Sequence, residues 1–344
     1  MALNVVNFSE LEWQDHPGGG GVRFDARWAP LADRVGAVKL SYGSWIVPPG
    51  KVSVPYHYHR VNEELAIVLG GEVWVRLNGE FHPLEAGDIV ALPAGADSVH
   101  QFLNYADRPA HLLLVSTKIP REAIGYPDAD KRGYSVAGLA GDPPMERVLI
   151  RAGRVLEGYA GYFEGEPVSE PLGAAPAPAE ARDPRIVRIE DVPWEAYRVG
   201  PFAAERRRIG RVAGALRLGY GVYRIAPGGR PWPFHFHHVN EEFFYVRRGY
   251  GQLRHKEGTR DLEPGDALAC PPGPAGAHAF LNTGDVPLEI FALSTMEEPE
   301  VIEYPDSDKL NVLVGSPPGG DPGERTVSAV FRRADAVAYE EGER

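Results

Sequence analysis

Apolar positions along the chain fall in short runs that are separated by glycine, proline and asparagine. Many runs are rich in β-branched and aromatic residues, as in Glu64-Leu-Ala-Ile-Val-Leu69 and Asp88-Ile-Val-Ala-Leu92. Such runs between turn signals predict strands, and Asn78-Gly79 between two of them predicts a hairpin turn. Few stretches keep a 3.6-residue period, so helices are expected to be short. The pattern therefore predicts an all-β protein built from sandwiches or barrels.

The strand pattern occurs twice in the chain. Residues 36–131 align without a gap to residues 214–309, pairing for example Tyr42 with Tyr220. Self-similarity over this length indicates an internal duplication. Each copy is therefore expected to form a barrel or sandwich of its own.

The length and a stretch of biased composition divide the chain. A chain of 344 residues is too long for one ordinary core. Residues 167–184 are rich in proline and alanine and poor in large apolar residues, which predicts an extended linker. We therefore predict an N-terminal domain over residues 1–166, a linker over 167–184 and a C-terminal domain over 185–344.

Composition and charge narrow the class of function. Apolar residues make up 43% and charged residues 24% of a chain with a formal net charge of −12. Binding to nucleic acid or an anionic membrane depends on clustered basic residues, so neither partner is expected. The N-terminus lacks the features of a signal peptide, and no apolar run is long enough to span a membrane. With Cys270 as the single cysteine, no internal disulfide can form, and a cytoplasmic protein is expected.

A short run of metal-ligand residues stands in the same place in both copies. Side chains two apart on a strand point to the same face, so a His-x-His pair can aim two imidazoles at one point. A glutamate five residues later has the wrong parity for one continuous strand and must come from a second strand after a turn. These candidate ligands are His57, His59 and Glu64 in the first copy, and His235, His237 and Glu242 in the second.

A third histidine completes each set of candidate ligands. His100 in the first copy and His278 in the second follow a Pro-x-Gly turn at equal spacing. A lone histidine is seldom a metal ligand. The same set of four residues occurs twice at the same spacing, however, and this repetition indicates that these histidines bind metal. Three imidazoles and a carboxylate suit a divalent transition metal such as Fe, Mn, Ni, Zn or Cu. We predict two metal sites per chain.

These spacings resemble the two sequence motifs of the cupin superfamily. The first motif joins a glycine to His-x-His, a glutamate and a second glycine, and the second joins a glycine to Pro-x-Gly, a histidine and an asparagine. The matching residues are Gly50, His57, His59, Glu64, Gly71, Gly87, Pro93, Gly95, His100 and Asn104, then Gly228, His235, His237, Glu242, Gly249, Gly265, Pro271, Gly273, His278 and Asn282. Two gaps are slightly longer than in the family pattern.

The resemblance implies a bicupin, with two tandem jelly-roll (double-stranded β-helix) barrels and a metal in each. The second copy also resembles single-domain cupins with His-x-His-x-Val-Asn-Glu-Glu and Tyr-Pro-Asp-Ser signatures, which are sometimes labelled sugar-phosphate isomerases. This likeness is specific for fold and metal and does not fix the reaction. The lid motif of oxalate-degrading bicupins is not identifiable.

Three functions fit such a site. The first is a metal-dependent dioxygenase acting on a small organic substrate, either aromatic or an enol or diketone. The second is a sugar or sugar-phosphate isomerase, an epimerase or a decarboxylase that uses the metal as a Lewis acid. The third is a non-catalytic small-molecule binding protein, although retention of all eight ligands favours catalysis. The chain is expected to be a monomeric bicupin or a homodimer.

Several repeated polar residues have more than one interpretation. Glu63 and Glu241 fit either a carboxylate that orients an imidazole or a solvated loop residue. The repeated basic positions, Lys39 with Arg217 and Arg76 with Arg254, would serve a sugar phosphate only if they point into the barrel. Asn104 and Asn282 are expected to hydrogen-bond a loop backbone.

Overall fold

The computed structural model describes residues 3–15, 21–136 and 146–343. Its helices are one or two turns long, as predicted. The elements of the first half are β1 (Val5–Asn7), β2 (Gln14–Asp15), β3 (Arg27–Pro30), α1 (Ala32–Val35), β4 (Leu40–Val47), β5 (Tyr58–His59), β6 (Glu64–Gly70), β7 (Glu72–Leu77), β8 (Glu80–Glu85), β9 (Asp88–Leu92), β10 (His100–Leu103), β11 (Ala110–Thr117), β12 (Arg121–Tyr126), β13 (Lys131–Val136), β14 (Glu146–Arg151), β15 (Arg154–Leu156) and α2 (Gly158–Phe163).

The second half repeats this order of elements as far as β14, and β15 and α2 have no counterpart among its described residues. Its elements are β16 (Ile186–Arg188), β17 (Glu195–Val199), β18 (Phe202–Arg207), α3 (Ile209–Val212), β19 (Leu218–Ile225), β20 (Phe236–His237), β21 (Glu242–Arg248), β22 (Gly251–His255), β23 (Gly258–Leu262), β24 (Asp266–Cys270), β25 (His278–Leu281), β26 (Leu288–Thr295), β27 (Glu300–Tyr304), β28 (Lys309–Val314) and β29 (Val327–Arg332). Single-turn 3-10 helices lie at Phe8–Glu10, Ala96–Ser98, Pro127–Ala129, Ile189–Asp191, Pro274–Gly276, Pro305–Ser307, Pro322–Glu324 and Arg333–Asp335.

Each half is a β-barrel with one large sheet and two smaller ones. The large sheets run β16-β9-β6-β11-β4-β3-β2 and β1-β24-β21-β26-β19-β18-β17. The smaller sheets run β15-β14-β13-β12-β5 and β10-β7-β8 in the first half, and β20-β27-β28-β29 and β23-β22-β25 in the second. The repeated order confirms the prediction of two tandem all-β barrels from an internal duplication.

The first strand of each half pairs with the sheet of the other half. β1 is antiparallel to β24, with Val5 opposite Leu268, and β16 is antiparallel to β9, with Ile186 opposite Val90. Each large sheet therefore needs the other half to complete its edge. The predicted domain boundaries at residues 166 and 184 and the linker between them stay a prediction; residues 167–184 contain no helix or strand.

The two large sheets also share a hydrophobic core. Alternate residues of β6 point to opposite faces: Leu65 and Ile67 pack in a core that includes Phe243 and Phe291 of the second half, whereas Val68 packs inside its own barrel. Because both faces of this strand are buried, its apolar run is continuous rather than alternating.

The turn that ends β6 requires glycine. Gly71 has a φ of 75°, and a Cβ there would lie 2.5 Å from the carbonyl oxygen of Pro109; Gly249 repeats both features against Pro287. Only glycine adopts this conformation without strain and leaves room for that approach.

In the part of the chain described, no helix is long and apolar enough to cross a membrane.

Candidate metal sites

Strand pairing brings the first and last candidate histidines of each half together. His57 and His100 form an antiparallel bridge in which each backbone N–H donates to the other residue's carbonyl, at 3.1 and 2.8 Å. His235 and His278 repeat the bridge at 3.2 and 2.9 Å. Residues opposite each other across such a bridge project their side chains to the same face. Strand pairing therefore places two histidines that are far apart in sequence side by side.

In the first half the four predicted residues converge inside the barrel. Glu64 has the parity of the inward-facing residues of β6, and its Oε2 lies 3.4 Å from His59 Nε2 and 3.2 Å from His100 Nε2. The ligand atoms of His57, His59 and Glu64 all lie within 4.8 Å of one another. The ring centroids of His57 and His100 are 4.5 Å apart.

The second half repeats this geometry. Glu242 Oε2 lies 3.3 Å from His237 Nε2 and 3.2 Å from His278 Nε2. The ligand atoms of His235, His237 and Glu242 again lie within 4.8 Å of one another, and the rings of His235 and His278 are 4.6 Å apart. The structure thus brings together all eight residues that the sequence singled out, four in each barrel.

Each histidine holds its outer ring nitrogen in a hydrogen bond. In the first half Nδ1 of His57 contacts the carbonyl of Pro55 at 2.9 Å, and Nδ1 of His100 contacts that of Ser98 at 2.9 Å. The carbonyls of Pro233 and Gly276 take these places in the second half. A carbonyl can only accept, so Nδ1 carries the hydrogen and Nε2 presents its lone pair to the interior.

Two glutamates that sequence reasoning missed hold the remaining histidines. Glu122 contacts Nδ1 of His59 at 3.3 Å, and Glu300 contacts Nδ1 of His237 at 3.1 Å. Although burial opposes ionisation, the hydrogen bonds from His59 and Asn62 lower the pKa of Glu122 to about 2. The signal was present in the repeat, because Glu122-Ala-Ile-Gly-Tyr126-Pro-Asp aligns with Glu300-Val-Ile-Glu-Tyr304-Pro-Asp.

Two tyrosines in the same aligned stretch were also missed. The ring of Tyr126 stacks on His57 at 5.9 Å, and the ring of Tyr304 stacks on His235 at 6.0 Å. Burial raises the pKa of Tyr126 to about 12 and that of Tyr304 above its ordinary value. Both phenols are therefore neutral at physiological pH.

The donor atoms fit a divalent transition metal ion in each barrel. Glu242 Oε2 and His278 Nε2 are buried and have no hydrogen-bond partner, which is costly unless something else binds them. Burial disfavours the charged form of Glu242, but the neighbouring His237 lowers the pKa of its carboxyl to about 2. The site thus offers an anionic oxygen beside imidazole nitrogens, a set typical of first-row transition metals. The ligand role of each of the eight residues stays a prediction.

The two sites differ in what lies over them. A cavity of about 710 Å³ opens onto His235, His237 and Glu242 in the second half. In the first half α2 places Tyr162 against Tyr126 at 6.0 Å, next to the ring that stacks on His57. The residue that aligns with Tyr162 in the second half, Tyr339, is 99% exposed. The second site therefore lies at a large cavity, although its side chains are less exposed than those of the first: His237 and Glu242 are 6% and 18% exposed, against 15% and 23% for His59 and Glu64.

Glu63 and Glu241 have neither of the roles considered from sequence. Glu63 is buried and accepts hydrogen bonds from the backbone N–H groups of Leu216 and Arg217 at 3.1 and 2.8 Å. Glu241 accepts from Val38 and Lys39 at 2.7 and 2.8 Å. Each carboxylate therefore ties its own barrel to the other half rather than orienting an imidazole.

The repeated asparagines and three of the four repeated basic residues make contacts within the fold. Asn104 donates to the carbonyls of Val47 and Arg108, as predicted. Among the repeated basic positions, Arg76 and Arg254 pair with the exposed Asp128 and Asp306, and Lys39 pairs with Glu297. None of these three side chains is directed at the histidines.

Comparison with known proteins identifies the repeat. A family model described as a cupin domain matches residues 43–116 and again residues 221–294. A polyketide synthase CurC from Streptomyces cyaneus is 31% identical over 136 residues, which cover 39% of this chain and 83% of that protein.

Solved structures resemble the whole two-barrel arrangement. The formate complex of Lactobacillus farciminis oxalate decarboxylase has a TM-score of 0.50 and 17% identity, covering 86% of each chain. A mutant of Bacillus subtilis oxalate decarboxylase has a TM-score of 0.51 and 16% identity, covering 88% of this chain and 79% of the other. At these identities the likeness shows the fold.

Proposed function

Because this chain belongs to the cupin superfamily, as a bicupin, we propose that each barrel holds one divalent transition metal ion and that the second barrel is catalytic. The ligands would be the three histidines and one glutamate of each half, whose imidazole Nε2 atoms and carboxylate oxygens face one another. The proposed reaction is dioxygenation of a small organic substrate that carries an aromatic, enol or diketone group.

The observation that carries this proposal is the cavity of about 710 Å³ over the second site. It has the size of a typical small-molecule pocket. Its wall includes Tyr223, Trp232 and Tyr304, with the rings of Tyr223 and Trp232 in edge contact at 5.0 Å. Aromatic walls suit a substrate with a flat, weakly polar body.

A metal ion bound by these four residues would act as a Lewis acid on coordinated oxygen atoms and, if redox-active, would support reaction of an enolate with dioxygen. The similarity to a protein named a polyketide synthase supports a carbonyl-rich substrate, since polyketides carry repeated ketone and enol groups. The protein's own residues would bind such a substrate flat against the aromatic wall and exclude water from it.

A second candidate is an isomerase or decarboxylase, in which the metal polarises a carbonyl. It is favoured by the phenols beside the site: burial raises the pKa values of Tyr223 and Tyr304, so each keeps its proton. A neutral phenol at the wall could give a hydrogen bond or a proton to a substrate oxygen. Non-catalytic binding of a small molecule is the third candidate and would use the same cavity.

Metal analysis followed by oxygen uptake tests the proposal. Protein purified without air should contain two equivalents of metal per chain, and the double variant His235→Ala/His237→Ala should contain one. Oxygen uptake with flavonols, catechols or β-diketones supports the dioxygenase, and substrate conversion without uptake supports the isomerase or decarboxylase. Two equivalents retained in the double variant would refute the site.

A further inference from the structure

We propose that the second cavity recognises a carboxylate on its substrate through Arg206 and Arg208. This inference rests on the proposed function, since it names the substrate class for the same cavity. The substrate would be an aromatic or enol-containing carboxylic acid, with its oxygen-rich end at the metal site and its carboxylate at the two guanidinium groups.

The course of the chain places these two arginines on one side. Arg206 stands opposite Tyr223 in the β18–β19 ladder, and both residues line the cavity. Arg208, two residues on, lines it too. Arg207, between them, lines the cavity too but differs in its contacts, because its Nη1 donates to the carbonyl of Ile189 at 2.6 Å. Arg206 and Arg207 each also lie over an aromatic ring, that of Tyr197 and that of Trp194.

Two N–H donors at this cavity make no hydrogen bond. Arg206 Nε and Trp232 Nε1 are buried and without a hydrogen-bond partner, and both residues line the cavity. The carboxylate oxygen of Glu195 lies 3.7 Å from Arg206 Nε, beyond hydrogen-bond distance. A buried N–H that lacks an acceptor costs free energy comparable to a lost hydrogen bond. A substrate with acceptor oxygens at this end of the cavity would satisfy them.

The charges of Arg206, Arg208 and Glu195 add up to one positive charge, which a substrate anion would neutralise. Arg206 and Arg208 share the carboxylate of Glu195, at 3.7 and 3.4 Å, and that carboxylate is 54% exposed. Two guanidinium groups and one carboxylate leave a single positive charge. A planar monoanion that accepts two parallel hydrogen bonds matches both the charge and the geometry of arginine.

The other charged groups that line the cavity leave this balance unchanged only in sum: Arg207 and Arg325 form no ion pair with a described residue, and the exposed Glu298 and Glu324 offset their two positive charges. Arg211 is paired with Asp321 at 2.6 Å. Arg325 donates to two loop carbonyls, at 3.1 and 2.9 Å, and so holds the segment that forms part of the wall. Glu298 and Glu324 are exposed at its edge.

The first half lacks this arrangement. In the equivalent ladder Trp28 stands opposite Trp45, as Arg206 stands opposite Tyr223, so Trp28 and Pro30 occupy the places of the two arginines. Val54 occupies the place of Trp232. The duplication has therefore produced two interiors with the same metal-ligand set and different recognition groups.

Three probes that share a metal-binding β-diketone test the inference. They are 4-acetoacetylbenzoate, its methyl ester and 4-acetoacetylphenyl phosphate, titrated by calorimetry into the metal-loaded full-length protein. The carboxylate should bind about 10- to 100-fold more tightly than the ester, as expected for charge-assisted hydrogen bonds. The double variant Arg206→Gln/Arg208→Gln should lose that preference while keeping its metal content and its affinity for the ester.

The matched control is Arg198→Gln, an exposed arginine on the neighbouring strand β17, which should keep the preference. Equal binding of the carboxylate and the ester to the wild type would overturn the inference, as would tighter binding of the phosphate. If the purified protein holds no metal, the proposed function fails, whereas the comparison of acid and ester on metal-free protein still decides whether the two arginines bind a carboxylate.

Discussion

At the scale of single residues, the groups that orient the histidines would determine how tightly each site binds a metal ion. Glu300 is fully buried and fixes the ring of His237, and Glu122 does the same for His59. A carboxylate in this position keeps the hydrogen on Nδ1 and strengthens Nε2 as a donor. These two glutamates therefore give a way to weaken one site without touching a ligand.

Glu300→Gln should weaken metal binding at the second site by about 10- to 100-fold, because a neutral amide supports the imidazole less well. The matched variant Glu122→Gln should weaken the first site only. Competition with a chromogenic chelator, fitted to two sites per chain, gives both affinities. Equal losses at both sites from either substitution would contradict this assignment.

Glu63→Gln should lower the free energy of unfolding by about 2 kcal/mol, since it removes a buried, charged acceptor of two backbone N–H groups and can turn an NH₂ toward them. Urea unfolding measures the loss. Metal content should stay unchanged, because Glu63 faces the other half. Glu64→Gln is the control: it should lose the metal ion of the first site and should not weaken the contact between the two halves. Metal loss in the Glu63 variant would count against this view of the interface.

The sequence distinguished these neighbouring glutamates only in part. The spacing of the cupin motif singled out Glu64 rather than Glu63 as the candidate ligand, and strand parity explains why Glu64 faces inward. The partners of Glu63 lie about 150 residues away at Leu216 and Arg217, and no local pattern reports a contact of that range. Long-range contacts made by a side chain to backbone atoms are invisible to sequence periodicity.

At the scale of elements, the exchanged strands β1 and β16 are the feature that sequence analysis did not predict. Each has three residues, and a run such as Val5-Val6-Asn7 indicates a strand without indicating its sheet. The longer strands, by contrast, were predicted from their apolar runs, and the duplication supplied the two-barrel architecture. Which edge a short strand joins is decided by packing between the halves.

Val187→Asp tests the exchange, because Val187 is 8% exposed and packs in the core shared by the two large sheets. A buried, unpaired carboxylate should cost about 3 kcal/mol of stability. Hydrogen exchange should also accelerate at β9, the strand that β16 covers. Val199→Asp, at a valine that is 70% exposed, is the matched control and should change neither quantity. Unchanged protection of β9 in the Val187 variant would argue against the pairing.

At the scale of the whole molecule, the barrels are joined by a shared core, two exchanged strands and the reciprocal hydrogen bonds of Glu63 and Glu241. Separating them would expose the apolar faces of both large sheets and leave two sheet edges unpaired. Exposed apolar faces and open edges favour aggregation. The two barrels are thus expected to fold as one cooperative unit.

A chain divided within the linker, at residue 175, should give two fragments that are insoluble when expressed alone and soluble when expressed together. Co-purification of an untagged fragment with a tagged one, followed by thermal unfolding, measures the association. A single transition is expected for the reconstituted pair. Two well-folded fragments with independent transitions would show that the exchanged strands contribute little.

The exchanged strands β1 and β16 also constrain how this protein can evolve. A mutation that abolishes ion binding in one barrel leaves that barrel indispensable, because its neighbour still depends on it for a sheet edge and half of a core. Selection for a working scaffold would therefore preserve both barrels while the interior of either one drifts toward a new ligand.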